Sequence, residues 1–168
     1  MNKLNSQIFL FLNELNANNN RDWFNKNKQV FQAHQNDIKE FSYQVQEHLN
    51  KEDDIDKIKV FRIYRDVRFS LDKTPYKTHF GISFHRKKPY LRGGYYIHIQ
   101  PEKTFIATGF WNPNKEDLLR IRKEIEADGE ELKTIINVKS IKSLWGSIQG
   151  DEVKTSPKGF SKDHSHID

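Results

Sequence analysis

Arg62, Arg65, Asp66 and Arg68 crowd into the short segment FRIYRDVRFS, and Lys73, Tyr76, Lys77 and His79 follow directly. Few side-chain sets are better suited to anion chemistry. A guanidinium presents a fixed fork of donors to a carboxylate or phosphate. The segment alternates apolar and polar residues, which predicts a half-buried strand over 61–69. Phe61, Ile63, Arg65, Val67 and Phe69 then share one face, and Arg62, Tyr64, Asp66 and Arg68 share the other. On the polar face, two guanidiniums flank an acid at a repeat of roughly 6.5–7 Å, close enough to clamp one anion. An ordinary charged sheet face with cross-strand pairs explains the same pattern, and both readings stand. Arg65, on the apolar face, needs a partner, either an anion or a helix acid such as Glu40. A β-bulge within the segment would exchange the two faces.

Beyond the strand, Pro75 sets a bend, and Lys73, Tyr76, Lys77 and His79 form a donor-rich loop beside a rigid element. Tyr96, His98 and Gln100 alternate onto one face of a later strand. The candidate anion-binding residues are therefore Arg62, Arg65, Arg68, Lys73, Lys77, His79 and Tyr96. The candidate acid–base residues are Asp66, Tyr76 and His98.

Other chemistries find little support. There is no cysteine, hence no disulfide, thiol nucleophile or thiolate metal site. No GxSxG, Walker loop or dinucleotide fingerprint occurs, and no cofactor is implied. The seven histidines show no zincin spacing, so no metal is assigned. His79, His85 and His98 fall on separate elements and would need the fold to bring them together. His34, on a helical stripe, reads as a satisfied core histidine. His164 and His166 read as part of a mobile terminus. Gly93-Gly94 reads as a turn rather than a phosphate nest.

Charge points the same way as the arginines. Between Lys57 and Arg92 there are eleven Lys/Arg and two acids, a local net of +9, against +5 for the whole chain. The other 132 residues thus carry 17 basic and 21 acidic side chains, a net of −4. An anionic partner for the middle of the chain follows: phosphate, carboxylate or nucleic acid.

The elements that must position these groups can be read from period and punctuation. The spacing predicts a helix capped by Asn5 or Ser6 that buries Ile8, Phe9, Leu12 and Leu15. A second helix runs from Asp22 to Leu49 with Trp23, Phe31, His34, Ile38, Phe41 and Val45 on its stripe. Strands follow at 80–85, 95–100 and 104–111, with a tight turn at Pro101-Glu102-Lys103. Asn114 and Asp117 open a third helix that ends at Asp128-Gly129, a short helix covers 130–136, and a small hairpin is predicted around Trp145. The last dozen residues read as loop. The expectation is one α+β domain over 1–168, an antiparallel meander packed against N-terminal and C-terminal helices. Helices occupy about 5–50, the sheet 58–111, helices and the hairpin 114–155, and a tail 156–168. The stretch from Ile8 to Leu12 is too short for a leader or a membrane span, so a cytoplasmic protein without a membrane partner is expected.

The segment RIYRDVRFSLDKTPYKTHFG resembles the signature RxxRDxRFxx[DN]KxxY of the bacterial domain of unknown function 2461 family. Arg62, Arg65, Asp66, Arg68, Phe69, Asp72, Lys73 and Tyr76 fall on that pattern. NNNRDWFNKNK, GGYYIHIQP, GFWNP and PKGFSKDH are similar too, so the resemblance spans nearly the whole chain. It implies a bacterial, soluble, single-domain protein and no assigned activity. Ser165 stands where the family usually has Pro, and family members generally run on past Asp168. The resemblance therefore implies a C-terminal piece that this chain lacks. The residues favour a pocket for a small phosphate- or carboxylate-bearing ligand, possessing catalytic groups or not. The alternatives are a nucleic-acid-binding module and a non-catalytic interaction domain with structural Arg–Asp pairs. The pattern specifies no oligomeric state.

Overall fold

The computed structural model describes residues 3–166 and is α+β, with six helices and one antiparallel sheet. Its contacts cluster in two compact units, one ending at Phe110 and the other beginning at Trp111.

The first unit begins with α1, Gln7–Ala17, where Asn5 Oδ1 accepts from Gln7 N at 3.0 Å. Its buried stripe is Ile8, Phe11, Leu12 and Leu15, steps of three, one and three that keep one helical face inward. Phe9, expected in that stripe, is only half-buried, and Phe11 takes the place. The single helix expected from Asp22 is two: α2, Arg21–Lys26, and α3, Lys28–Leu49. The Asn20 side chain caps α2 by accepting from Trp23 N at 2.9 Å. Asn27 makes the break, because its side-chain amide bonds the Trp23 carbonyl at 2.9 Å and competes with the backbone ladder.

The sheet runs β1 (Ile55–Val60), β2 (Phe80–Arg86), β3 (Gly94–Ile99) and β4 (Phe105–Gly109), paired in that order as an antiparallel meander. Glu102, at φ 60°, makes the tight turn between β3 and β4. Alternation puts Phe80, Ile82, Phe84 and Ile99 on the helix side, where all four are buried with Phe24, Phe31 and Ile38. Phe31 stacks on Phe80 with ring centroids 6.0 Å apart. Each such side chain contributes about 1.5–3 kcal/mol by leaving water. The opposite, outer face carries Lys57, Lys59, Ser83, His85, Tyr96, His98 and Phe105, in register across the strands.

The strand expected over 61–69 does not form. Pairing continues past β1 with Phe61 N donating to Gly81 O at 2.9 Å, then resumes with Lys77 N to Ile63 O at 2.7 Å and Arg65 N to Pro75 O at 2.9 Å. Two residues advance on the outgoing limb while four advance on the return. That slippage separates Phe61, which meets the outer-face ring of Tyr96, from Ile63, which is buried. Beyond Arg65 the side chains take over the backbone's bonds. Asp66 accepts from Arg68 N, and Asp72 accepts from Thr74 N at 2.9 Å, turn chemistry that ends a ladder. Phe69, expected to face the helices, is 96% exposed as a result.

The second unit comprises α4 (Lys115–Ala127), α5 (Glu130–Ile136) and α6 (Lys139–Trp145). Asn114 caps α4 by accepting from Asp117 N at 2.8 Å. The hairpin expected at Trp145 is instead α6, closed by Gly146 at φ 74°. Ile141, Leu144 and Trp145 recur at three and four residues, a helical period that the nearby Gly150-Asp151 turn signal obscured. From Pro157 onward the described residues form neither helix nor strand. His166 Nδ1 lies 3.6 Å from Glu130 Oε1, and the His166 ring packs where a Cβ on Gly129 would sit. Among the described residues no helix is long and apolar enough to cross a membrane.

Candidate functional site

The excursion between β1 and β2 is held from two sides. Arg65 Nη1 donates to both Asp72 Oδ2 and Thr74 Oγ1, which ties the outgoing limb to the turn. The partner expected for Arg65, Glu40, has no part in this. Asp72 lies only seven residues away and the turn delivers it directly. The Arg65 guanidinium and the Thr74 backbone hold the Asp72 carboxyl down at about 2, the backbone bond being the larger cause. Arg68 grips Asp66 with two nitrogens, at 3.0 and 2.7 Å, on the exposed tip. Arg62 and Arg68 therefore do not form the expected clamp around a shared anion. The acid between them already occupies one of the two forks. Lys73 donates to the Val67 carbonyl at 3.0 Å and serves the same tip.

On the helix side of this excursion lies a cleft of about 360 Å³ lined by Arg21, Asn25, Tyr64, Arg65, Val67, Pro75 and Tyr76. Tyr76 stacks on Phe24 at 4.0 Å and 16°, and Tyr64 meets Phe24 edge-on at 5.9 Å. Asn19 fixes the Tyr76 backbone through two hydrogen bonds. The Tyr76 ring is buried, the residue being 4% exposed, while its hydroxyl makes no hydrogen bond to a described residue and is not sealed from solvent, so it opens onto the cleft. Burial, then the neighbouring Tyr64, push its phenol up, so it stays protonated as a donor. Arg21, close enough to act on that phenol, has no ion-pair partner among the described residues.

The outer sheet face gathers a second group. The His79 and His98 rings lie 4.2 Å apart. His98 Nδ1 is 3.1 Å from Tyr96 Oη, and His98 Nε2 is 2.8 Å from Gln100 Oε1. Phe105 stacks on His98 at 4.8 Å and 12°. Lys59 and Lys77 lie over the Phe61 ring at 4.9 and 5.6 Å. Burial, reinforced by Arg62 and Lys59, pushes the Lys77 ammonium down. Burial, then His98 and Lys77, hold the His79 imidazole down at about 4, so it is neutral at pH 7.

The sequence-derived candidates thus divide. Arg65 and Tyr76 line the cleft, Lys77, His79, Tyr96 and His98 share the outer face, and Asp66, Arg68 and Lys73 sit at the tip. Tyr76 and His98 lie on opposite sides of the sheet layer, so Asp66, Tyr76 and His98 are not brought together. His79, His85 and His98 do not converge with Asp66, and no group of three or more potential ligands is assembled among the described residues. His34 is buried with Nδ1 unbonded, 3.8 Å from Asp37 Oδ2. Sequence reasoning missed Arg21 and Asn25, whose signal is the Asn20 cap that places them in the first turns of α2. It also missed Lys59 and Phe105, which follow from carrying the period-two pattern back through Lys57 and forward to the last strand.

The family model described as conserved hypothetical protein (DUF2461) matches residues 7–168. No curated protein and no solved structure matches the chain.

Proposed function

The chain belongs to the DUF2461 family, and within it we propose that the cleft between α2 and the 61–79 excursion binds a small organic anion. The observation that carries this reading is the Tyr76 hydroxyl: protonated, opening onto the cleft at the end of a buried ring, and without a hydrogen bond to a described residue. A ligand oxygen accepting from this hydroxyl inside the cleft gains a net hydrogen bond of about 0.5–1.5 kcal/mol, and more when the acceptor is charged. Arg21 and Arg65 supply two guanidiniums for a carboxylate or phosphate, and Asp72 holds Arg65 in place. Val67, Pro75 and the Tyr64 ring supply the apolar walls for a carbon body. The volume lies near the lower end of small-molecule sites, about 300–1,000 Å³. That matches a ligand of one ring and one acid group.

Benzoate and phenyl phosphate are the probes, titrated calorimetrically into the wild type, Tyr76→Phe and Arg21→Gln. Binding by the wild type is expected, weakened about tenfold in each variant, with no binding of benzyl alcohol. Failure of both acids to bind at millimolar concentration, or equal affinity in all three proteins, refutes the reading.

A further inference from the structure

We propose that the outer sheet face is a second, separate site that binds single-stranded nucleic acid. The face is open: Lys57, Lys59 and Arg62 are exposed and Phe105 is 49% exposed, which suits an extended chain rather than an enclosed molecule. In register across the strands run Lys57–His85–Gly94–Gly109, then Lys59–Ser83–Tyr96–Ala107, then Phe61–Gly81–His98–Phe105. These rows contain no carboxylate. The cations lie toward β1 and the aromatic rings toward β3 and β4.

That division matches the two halves of a nucleotide chain, phosphate on one side and base on the other. Lys59 and Lys77 lie over the Phe61 ring, and the Lys77 ammonium is pushed down by burial and then by the neighbouring Arg62 and Lys59. A phosphodiester in their midst offsets that positive charge. Tyr96, His98 and Phe105 lie ring beside ring, with Phe105 presenting its free side to solvent. Gly81 allows this, because a Cβ there would come within 2.7 Å of Tyr96 Oη and 3.2 Å of Phe61 Cδ2. With no side chain beneath them, both rings lean across the strand as a stacking platform. Cross-strand packing accounts for Tyr96 and His98, but Phe105, left 49% exposed on a face rimmed by Lys57, Lys59 and Arg62, forms the kind of polar-rimmed apolar patch that marks an interaction surface.

The test is fluorescence anisotropy with a labelled single-stranded oligonucleotide of twelve thymidines, and with its duplex. Binding to the single strand should weaken with salt at a log–log slope of about −2 for three phosphate contacts, and Lys59→Gln and Lys77→Gln should each lessen that slope by about 0.7. Phe105→Ala, half exposed and so harmless to folding, should weaken binding at least about fivefold with the slope unchanged. Arg21→Gln, in the cleft, should bind the oligonucleotide as the wild type does, which separates this site from the first. No anisotropy change at low salt, duplex bound as tightly as single strand, or wild-type affinity in both Phe105→Ala and Lys59→Gln overturns the proposal. So does loss of oligonucleotide binding in Arg21→Gln.

Discussion

Asn19 grips Tyr76 by both halves of its backbone, accepting from Tyr76 N at 3.1 Å and donating to Tyr76 O at 2.9 Å. One side-chain amide thereby stands in for a neighbouring strand. It fastens the helical layer to the return limb of the excursion and fixes the ring that floors the cleft.

Replacing that amide should therefore be costly. Asn19→Ala removes two hydrogen bonds and strands two partly buried backbone groups, a loss of about 2 kcal/mol. Urea denaturation should show a lower midpoint at unchanged slope. Benzoate affinity should fall in parallel, since Tyr76 loses its anchor. A midpoint equal to wild type would mean that water replaces the amide fully.

The two arginine–aspartate pairs should behave differently although they lie a few residues apart. Arg68 and Asp66 pair at an exposed tip, where solvent screens the attraction, so Arg68→Ala should leave the melting temperature unchanged. Arg65 is three-quarters buried and bonds Asp72 and Thr74, so Arg65→Met should lower the melting temperature by roughly 3–8 °C. Calorimetric melts of the two variants decide the matter. Equal shifts would show that position in the excursion is irrelevant.

Acid should act in two stages. His79 titrates near 4 when folded and near 6.5 when unfolded, so the unfolded chain takes up the proton first. Stability is complete above pH 6.5 and declines as pH falls toward 4, by on the order of 1 kcal/mol after solvent screening. Asp72, depressed to about 2 from 3.8, adds a further loss as pH falls through that lower window. Urea unfolding across pH 4–7 should show the first slope in wild type and a flatter one in His79→Gln. An unchanged slope in the variant would assign it elsewhere.

Gly81→Ala tests the platform directly. The new methyl group must displace the Tyr96 hydroxyl, which lies at the end of a side chain, so stability should fall by no more than about 1 kcal/mol. The Tyr96–His98 hydrogen bond should break, visible as altered His98 ring resonances, and oligonucleotide binding should drop. Unaltered His98 resonances would show that the ring accommodates the methyl group in place.

Much of the architecture was legible one residue at a time. The alternation of Phe80, Ile82 and Phe84 against Gly81, Ser83 and His85 specifies which face is buried, because a strand's side chains point to opposite sides in turn. The Pro101–Lys103 turn and the Asn114 cap are equally local, each set by two or three residues and their own backbone. The clustering of cations between Lys57 and Arg92 is likewise a property of the chain alone. What each cation does is not. Whether Arg65 met Glu40, Asp72 or a ligand depended on the slip between Phe61 and Ile63, where the two limbs advance unequally. Alternation cannot reveal such a slip, since it reads one strand without its partner. Tertiary structure alone sent Tyr76 into a cleft beside Arg21 and Lys77, its neighbour in sequence, to the other side of the sheet. Adjacent residues on extended backbone point opposite ways, and only the packed helices settle which way is in.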